Sequence, residues 1–153
     1  MIVGTTWPDQ VQLFLLVIAT ISGWRPASVC ALSIGEMSID GDVVVIGQGV
    51  SKTRHGNAYK RSGRLHFPAL PSVRQFVLHF ASKCLARFGK TPELQLSSLL
   101  PHAWVSVRGH ETVCTLMHRA AAATQHPRVL SKTSYSLRIG CCTALIDIGM
   151  DPR

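Results

Sequence analysis

Acids are scarce in this chain. Its 153 residues hold 8 Asp and Glu against 16 Lys and Arg, a formal net charge of +8. None of the acids lies between Val43 and Pro92, a stretch that carries Lys52, Arg54, Lys60, Arg61, Arg64, Arg74, Lys83, Arg87 and Lys90. Such a block makes a positive face in any fold. An anionic partner is expected: most often nucleic acid, whose phosphates release counterions to bound cations, less often an acidic membrane surface.

Other absences narrow the class. There is no Cys-x-x-Cys pair, and the cysteines, Cys30, Cys84, Cys114, Cys141 and Cys142, are odd in number. That pattern argues against a disulfide framework and for free thiols in a reducing, intracellular compartment. The apolar run QLFLLVIATISGW at residues 12–24 falls short of the roughly 20 residues that span a bilayer. Asp9 precedes it instead of a basic segment, which argues against a secretion signal. No membrane partner is expected. With 46% hydrophobic residues and no low-complexity tract, the chain reads as one globular domain with a real core.

What is present is mostly helical periodicity. Val11, Leu13, Phe14, Leu15, Leu16, Val17, Ile18 and Ile21 are apolar nearly all round, as in a helix at the middle of a core, and Gly23 ends it. PASVCALSIGEM reads as a short helix and a turn. GDVVVIGQGV, led in by Asp40-Gly41-Asp42, and RLHFPAL read as two strands. The polar stretch between them makes a hairpin with a long basic tip. Ser72 is expected to cap a helix whose stripe is Val73, Phe76, Val77, Phe80, Cys84, Leu85 and Phe88. A loop with a short turn follows, then helices over 110–125, with Val113, Leu116, Met117 and Ala120 on one face, and from Ser136 to Ile148. The fold class is α+β, mainly helical, with one small antiparallel sheet.

His102, His110, His118 and His126 recur every eight residues. On a helix that spacing rotates each by about 80° past two full turns, so they share no face and no metal site is expected. Three cations stand out instead. Arg25 follows the apolar helix in SGWRPASVCAL, Lys52 sits at the base of the hairpin tip, and Arg138 interrupts an apolar run in YSLRIG. Apolar neighbours predict that Arg25 and Arg138 are buried, and buried arginines need an anion. Two guanidinium forks meeting one phosphate would satisfy both.

Taken in order, SGWRPASVCALSIGEM, a hairpin bearing Lys-Thr at Lys52, and SLRIGCCTALIDIGMD resemble the catalytic domain of tyrosine recombinases, the phage-type integrases. The resemblance runs from about Pro8 to Asp151 and is closest to recombinases of mobile elements, where S-x-R-x-G and T-A-L are common. It implies the core of a DNA breaking-rejoining enzyme. Such a core acts in recombination or integration by transesterification through a 3′-phosphotyrosine, with no metal and no nucleotide cofactor. It implies double-stranded DNA and further recombinase protomers as partners, and an intracellular location with the DNA. Arg25 and Arg138 would clamp the scissile phosphate. Lys52, with Lys60 as its rival, would protonate the leaving 5′-oxygen, and Arg54, Lys60, Arg61 and Arg64 would meet backbone phosphates.

The chain departs from the family pattern. Ser28 stands where an acid is usual, and Ile139 replaces a frequent histidine. Tyr135 takes the place of the histidine three residues before the second arginine. A phenol donates a hydrogen bond but shuttles protons poorly at neutral pH. The family's nucleophilic tyrosine lies some tens of residues beyond this arginine. The only tyrosines here are Tyr59 and Tyr135, and neither matches its place. Residues 1–153 therefore read as a partial catalytic domain without the N-terminal DNA-clamping domain or the nucleophile segment, inactive alone. Tyr135 is the one candidate stand-in for the nucleophile, and it is not expected to serve, because the motif gives its place to a proton-handling group beside the phosphate. The alternative is a non-catalytic DNA-binding remnant or regulator derived from a recombinase.

Overall fold

The computed structural model describes residues 6–47, 62–65, 70–91, 93–125 and 132–147. Helix α1 spans Trp7–Ser22. Thr6 caps it by accepting the Asp9 N–H at 3.3 Å, Pro8 begins its first turn, and Gly23, at φ 60°, ends it. Val11, Phe14, Leu15, Ile18 and Ala19 are buried, a one-sided stripe at helical spacing. Leu13, Leu16 and Val17 are only half-buried and Ile21 is exposed. The expectation of a helix in the middle of the core is met in its packing: the four other helices contact α1, and Leu16 and Val17 pack against the core from its less buried side, while Ile21 reaches solvent.

Helix α2, Pro26–Cys30, is a single short turn-and-a-half started by its proline. A 3-10 turn at Ile34–Glu36 leads into strand β1, Met37–Asp40. Strand β2, Val43–Gly47, pairs antiparallel with β1 in the register Met37↔Ile46 to Asp40↔Val43. The link is Gly41-Asp42, with Gly41 at φ 64°, a backbone state that suits a two-residue hairpin. The expected lead-in to one strand is thus a turn between two. Strand β3, Ser62–Leu65, pairs antiparallel with the far edge of β2, Val44↔Leu65 to Gly47↔Ser62, giving the order β1-β2-β3. The expected β2–β3 pairing is present. Its tip, with Lys52, Arg54, Lys60 and Arg61, lies outside the described residues.

Helix α3 covers Pro71–Phe88. Leu70 holds its N-cap position without a side-chain cap and Pro71 opens its first turn. Ser72 is therefore inside the helix and not its cap, because proline's fixed φ starts the helix one residue earlier. Val77, Phe80, Ala81 and Cys84 are buried, and Val73, Phe76, Leu85 and Phe88 pack around them. Phe80 stacks on Trp7 at 5.4 Å and meets Phe14 at 4.6 Å between ring centroids, which locks α3 to α1. β1 and β2 pack on α3, and Arg74 reaches Asp42 of the hairpin turn at 3.7 Å.

The segment after α3 is more ordered than a loop. Ile34 N–H donates to Leu94 O at 2.9 Å and Leu96 N–H to Leu32 O at 2.8 Å, and 3-10 turns follow at Leu96–Leu99 and His102–Trp104. Helix α4, Gly109–Thr124, buries Thr112, Val113, Leu116, Met117 and Ala121. Helix α5, Ser134–Asp147, packs on α1 and α4. Its start is tied down by Ser134 N–H to Cys114 Sγ at 3.2 Å, and by the Thr133 N–H donating to Ser136 Oγ at 3.3 Å. The architecture is mainly helical with one small antiparallel sheet. Among the described residues no helix is long and apolar enough to cross a membrane, and Cys30, Cys84 and Cys114 are free thiols.

Candidate nucleic-acid interface

Three helix starts meet at one place. Arg25 occupies the N-cap position of α2 in extended conformation, φ −63° and ψ 141°. Arg108 occupies the N-cap position of α4 in the same way. Tyr135 and Arg138 lie in the first two turns of α5. Together with Pro26, Ala27, Ser28, Val107, Gly109 and His110 they line a cleft of about 750 Å³. Among the described residues no acid lines it.

The packing beneath the cleft is tight. α2 lies directly against the beginning of α4, and Cys30 Sγ donates to Gly109 O at 3.7 Å. From the other side Ser97 Oγ donates to Cys30 O at 2.7 Å. Burial pushes the Cys30 thiol up to about 11, since a thiolate would be stranded without water. Cys30 is thus packing, and it offers no nucleophile to the cleft.

Arg25 is exposed and Arg138 half-buried, so neither is the enclosed arginine that its apolar neighbours suggested. The reason is local. The helix stops at Gly23, Trp24 packs on the core, and the extended backbone at Arg25 turns the next side chain outward. On α5, Ser134 and Leu137 face the body while Tyr135 and Ile139 are 64% and 61% exposed, so the apolar flank of Arg138 is itself surface. Among the described residues neither Arg25 nor Arg138 makes an ion pair or a side-chain hydrogen bond. Both forks are unclaimed and open to an anion.

Arg108 is partly claimed: it reaches Glu111 at 3.5 Å, and His110 reaches the same carboxylate at 3.9 Å. Glu111 also accepts a short hydrogen bond from the Ser106 hydroxyl. That bond, with the nearby Arg108 and His110, holds its carboxyl below the usual range.

The residues singled out in the sequence divide in two. Arg25, Arg138 and Tyr135 are brought together in the cleft. Arg64 lies on β3 opposite Val45, and Lys52, Arg54, Lys60 and Arg61 lie outside the described residues. Sequence reasoning missed Val107, Arg108 and His110. The one available signal was Arg108-Gly109-His110-Glu111 at a helix start, which marks a first turn but not what it packs against. Among the described residues no group of three metal-ligating side chains gathers. No family model matches the chain, and neither a curated protein nor a solved structure does.

Proposed function

We propose that this chain binds double-stranded DNA through the cleft between α2, α4 and α5, as the core of a tyrosine-recombinase-like protein of DNA recombination or integration. One observation carries the reading. Arg25 and Arg138, set at opposite ends of the sequence in the two motifs that resemble that family, line the same cleft, which among the described residues has no acid in its lining and offers neither arginine a partner. Two planar forks of permanent charge suit the non-bridging oxygens of a phosphodiester. In strand transfer they would offset the charge that grows on those oxygens as a fifth ligand approaches phosphorus. Arg108 adds a third positive group at the rim. Lys52 or Lys60 would protonate the leaving 5′-oxygen, and the hairpin cations Arg54, Arg61 and Arg64 would hold the flanking backbone. The protein would act beside further recombinase protomers, inside the cell and on its DNA, without metal or nucleotide cofactor.

A second reading is binding without chemistry. It is favoured by Tyr135, the one phenol lining the cleft among the described residues. It lies three residues before Arg138 on the same helix, in the place that the family resemblance gives to a proton-handling group, whereas a nucleophile must attack in line with the leaving oxygen. The test is a fluorescence-anisotropy titration with a short duplex at several salt concentrations. Binding should weaken by orders of magnitude from low to moderate salt, and Arg25→Ala with Arg138→Ala should weaken it further. Absence of binding at low salt, or indifference to both substitutions, overturns the reading. A nicked suicide duplex then separates the two versions: a covalent protein–DNA band lost in Tyr135→Phe selects chemistry by this chain.

A further inference from the structure

The cleft is not only basic. Val107 is 105% exposed, as open as a valine in an isolated peptide, and Tyr135 is 64% exposed. Both line the cleft beside the arginines. Ile139, one turn beyond Tyr135 on α5, is 61% exposed. Val107 and Tyr135 thus add exposed apolar side chains to a cleft that Arg25, Arg108 and Arg138 also line.

Val107 is held in place. Ser106 N–H donates to Thr112 Oγ1 at 2.9 Å and that hydroxyl returns a bond to Ser106 O at 3.3 Å. Arg108 N–H donates to Ser106 Oγ at 3.2 Å, and the same hydroxyl binds Glu111. Residues on both sides of Val107 are therefore anchored to the first turn of α4, which itself rests on α2. A valine pinned in full contact with water forfeits burial that a small rotation of a free loop would recover. Tyr135 is fixed as well, because the start of α5 is bonded to Cys114 of α4.

The geometry points to a base-stacking subsite: Tyr135 and Val107 receive the face of a nucleobase unstacked from its neighbours, next to the phosphate held by Arg25 and Arg138. This inference rests on the DNA-binding reading above and narrows its substrate to duplex DNA opened locally at the clamped phosphate. The volume agrees with it. A cleft of about 750 Å³ lies within the roughly 300–1,000 Å³ of small-molecule sites, well beyond what a lone phosphate group needs. Charge complementarity names the occupant, since the ligand that brings an anion to the arginines must also bring a flat apolar group to the wall of Tyr135 and Val107 beside them. A nucleotide carries both within one residue. Aromatic side chains stack on every base, so the wall would be tolerant of sequence. On this account Tyr135 works through its ring.

The experiment uses a duplex in which one 2-aminopurine stands unpaired as a single-base bulge, with the fully matched duplex for comparison. Affinity, salt slope and 2-aminopurine emission are read for wild type, Tyr135→Phe, Tyr135→Ala and Arg25→Ala. Tyr135 is at the surface, and circular dichroism verifies folding. Wild type should quench the probe and bind the bulged duplex more tightly than the matched one. Tyr135→Phe should stay within about twofold, whereas Tyr135→Ala should bind about tenfold more weakly and lose the quenching with its salt slope intact. Arg25→Ala should instead reduce the salt slope by about one phosphate contact. If Tyr135→Ala binds and quenches like wild type while Arg25→Ala is weakened, the stacking wall is wrong and the phosphate clamp stands. Equal losses in Tyr135→Phe and Tyr135→Ala would assign the effect to the hydroxyl and also overturn it. No binding by any form, or none that depends on Arg25, overturns clamp and wall together.

Discussion

Gly109 and Ala27 touch backbone to backbone: a Cβ built on Gly109 would lie 2.7 Å from Ala27 Cα and 2.9 Å from Ala27 N. The glycine is there for close approach. It lets the first turn of α4 lie on α2, and that contact sets Arg108 and His110 on the same cleft as Arg25.

Gly109→Ala must push α4 off α2, because the atoms it meets are main chain and have nowhere to rotate. An overpacking cost of about 1–3 kcal/mol is expected, with weaker DNA binding although no charge is lost. Gly140 is the control. It lies within α5 and a Cβ there meets nothing within 4 Å, so Gly140→Ala should stabilise by about 0.5–1 kcal/mol through helix propensity. Chemical denaturation of the two variants should move in opposite directions, and a destabilised Gly140→Ala would refute the helix at that position.

Phe80→Ala should be the costliest core truncation. Phe80 is fully buried and contacts the rings of Trp7, Phe14 and Phe76, so the loss leaves a cavity between α1 and α3. About 3–5 kcal/mol is expected, a large share of a small domain's stability. Urea unfolding measures it. A cost below about 1 kcal/mol would mean that the aromatic cluster does not join the helices.

Arg25→Lys keeps the charge and removes the fork. If Arg25 grips a phosphate with two parallel N–H groups, lysine restores the salt slope of binding but not the affinity. The expected order is wild type, Arg25→Lys, Arg25→Ala. Titrations in which lysine equals arginine would reduce Arg25 to a point charge.

Alkaline pH should destabilise the protein through its buried thiols. Burial raises Cys30 to about 11 and Cys84 to about 12 from 9.0. A raised value in the folded state means that folding favours the protonated thiol. Its contribution is complete below pH 9, the unfolded value, and is lost as pH climbs from there towards 11–12. Urea unfolding under reducing conditions should show stability falling above pH 9, with a shallower fall in Cys84→Ala. At neutral pH iodoacetamide should modify both thiols far more slowly in the folded protein than in urea.

Much of this fold was legible along the chain. The stripes of α3 and α4 were readable because a half-buried helix must repeat its apolar residues at helical spacing. Gly23 was readable as a stop because its positive φ suits glycine. Strand β1 was not, since Met37–Asp40 is four residues long with only Met37 buried, too short to show an alternation. Ser72 was misread because a serine looks like a cap in any sequence, whereas Pro71 before it had already started the helix.

The cleft divides the same way. The sequence alone determined that the chain carries a large positive excess, that Arg25 and Arg138 stand among apolar neighbours, and that apolar residues recur at helical spacing. These are properties of composition and of local pattern. Only the tertiary structure decided that Arg25 is exposed and Arg138 half-buried, that they share one cleft, and that Val107, Arg108 and His110 join them. Such facts depend on how α2, α4 and α5 pack, and packing is decided by contacts between residues far apart in the chain, such as Gly109 against Ala27. No local pattern encodes a neighbour that is not local.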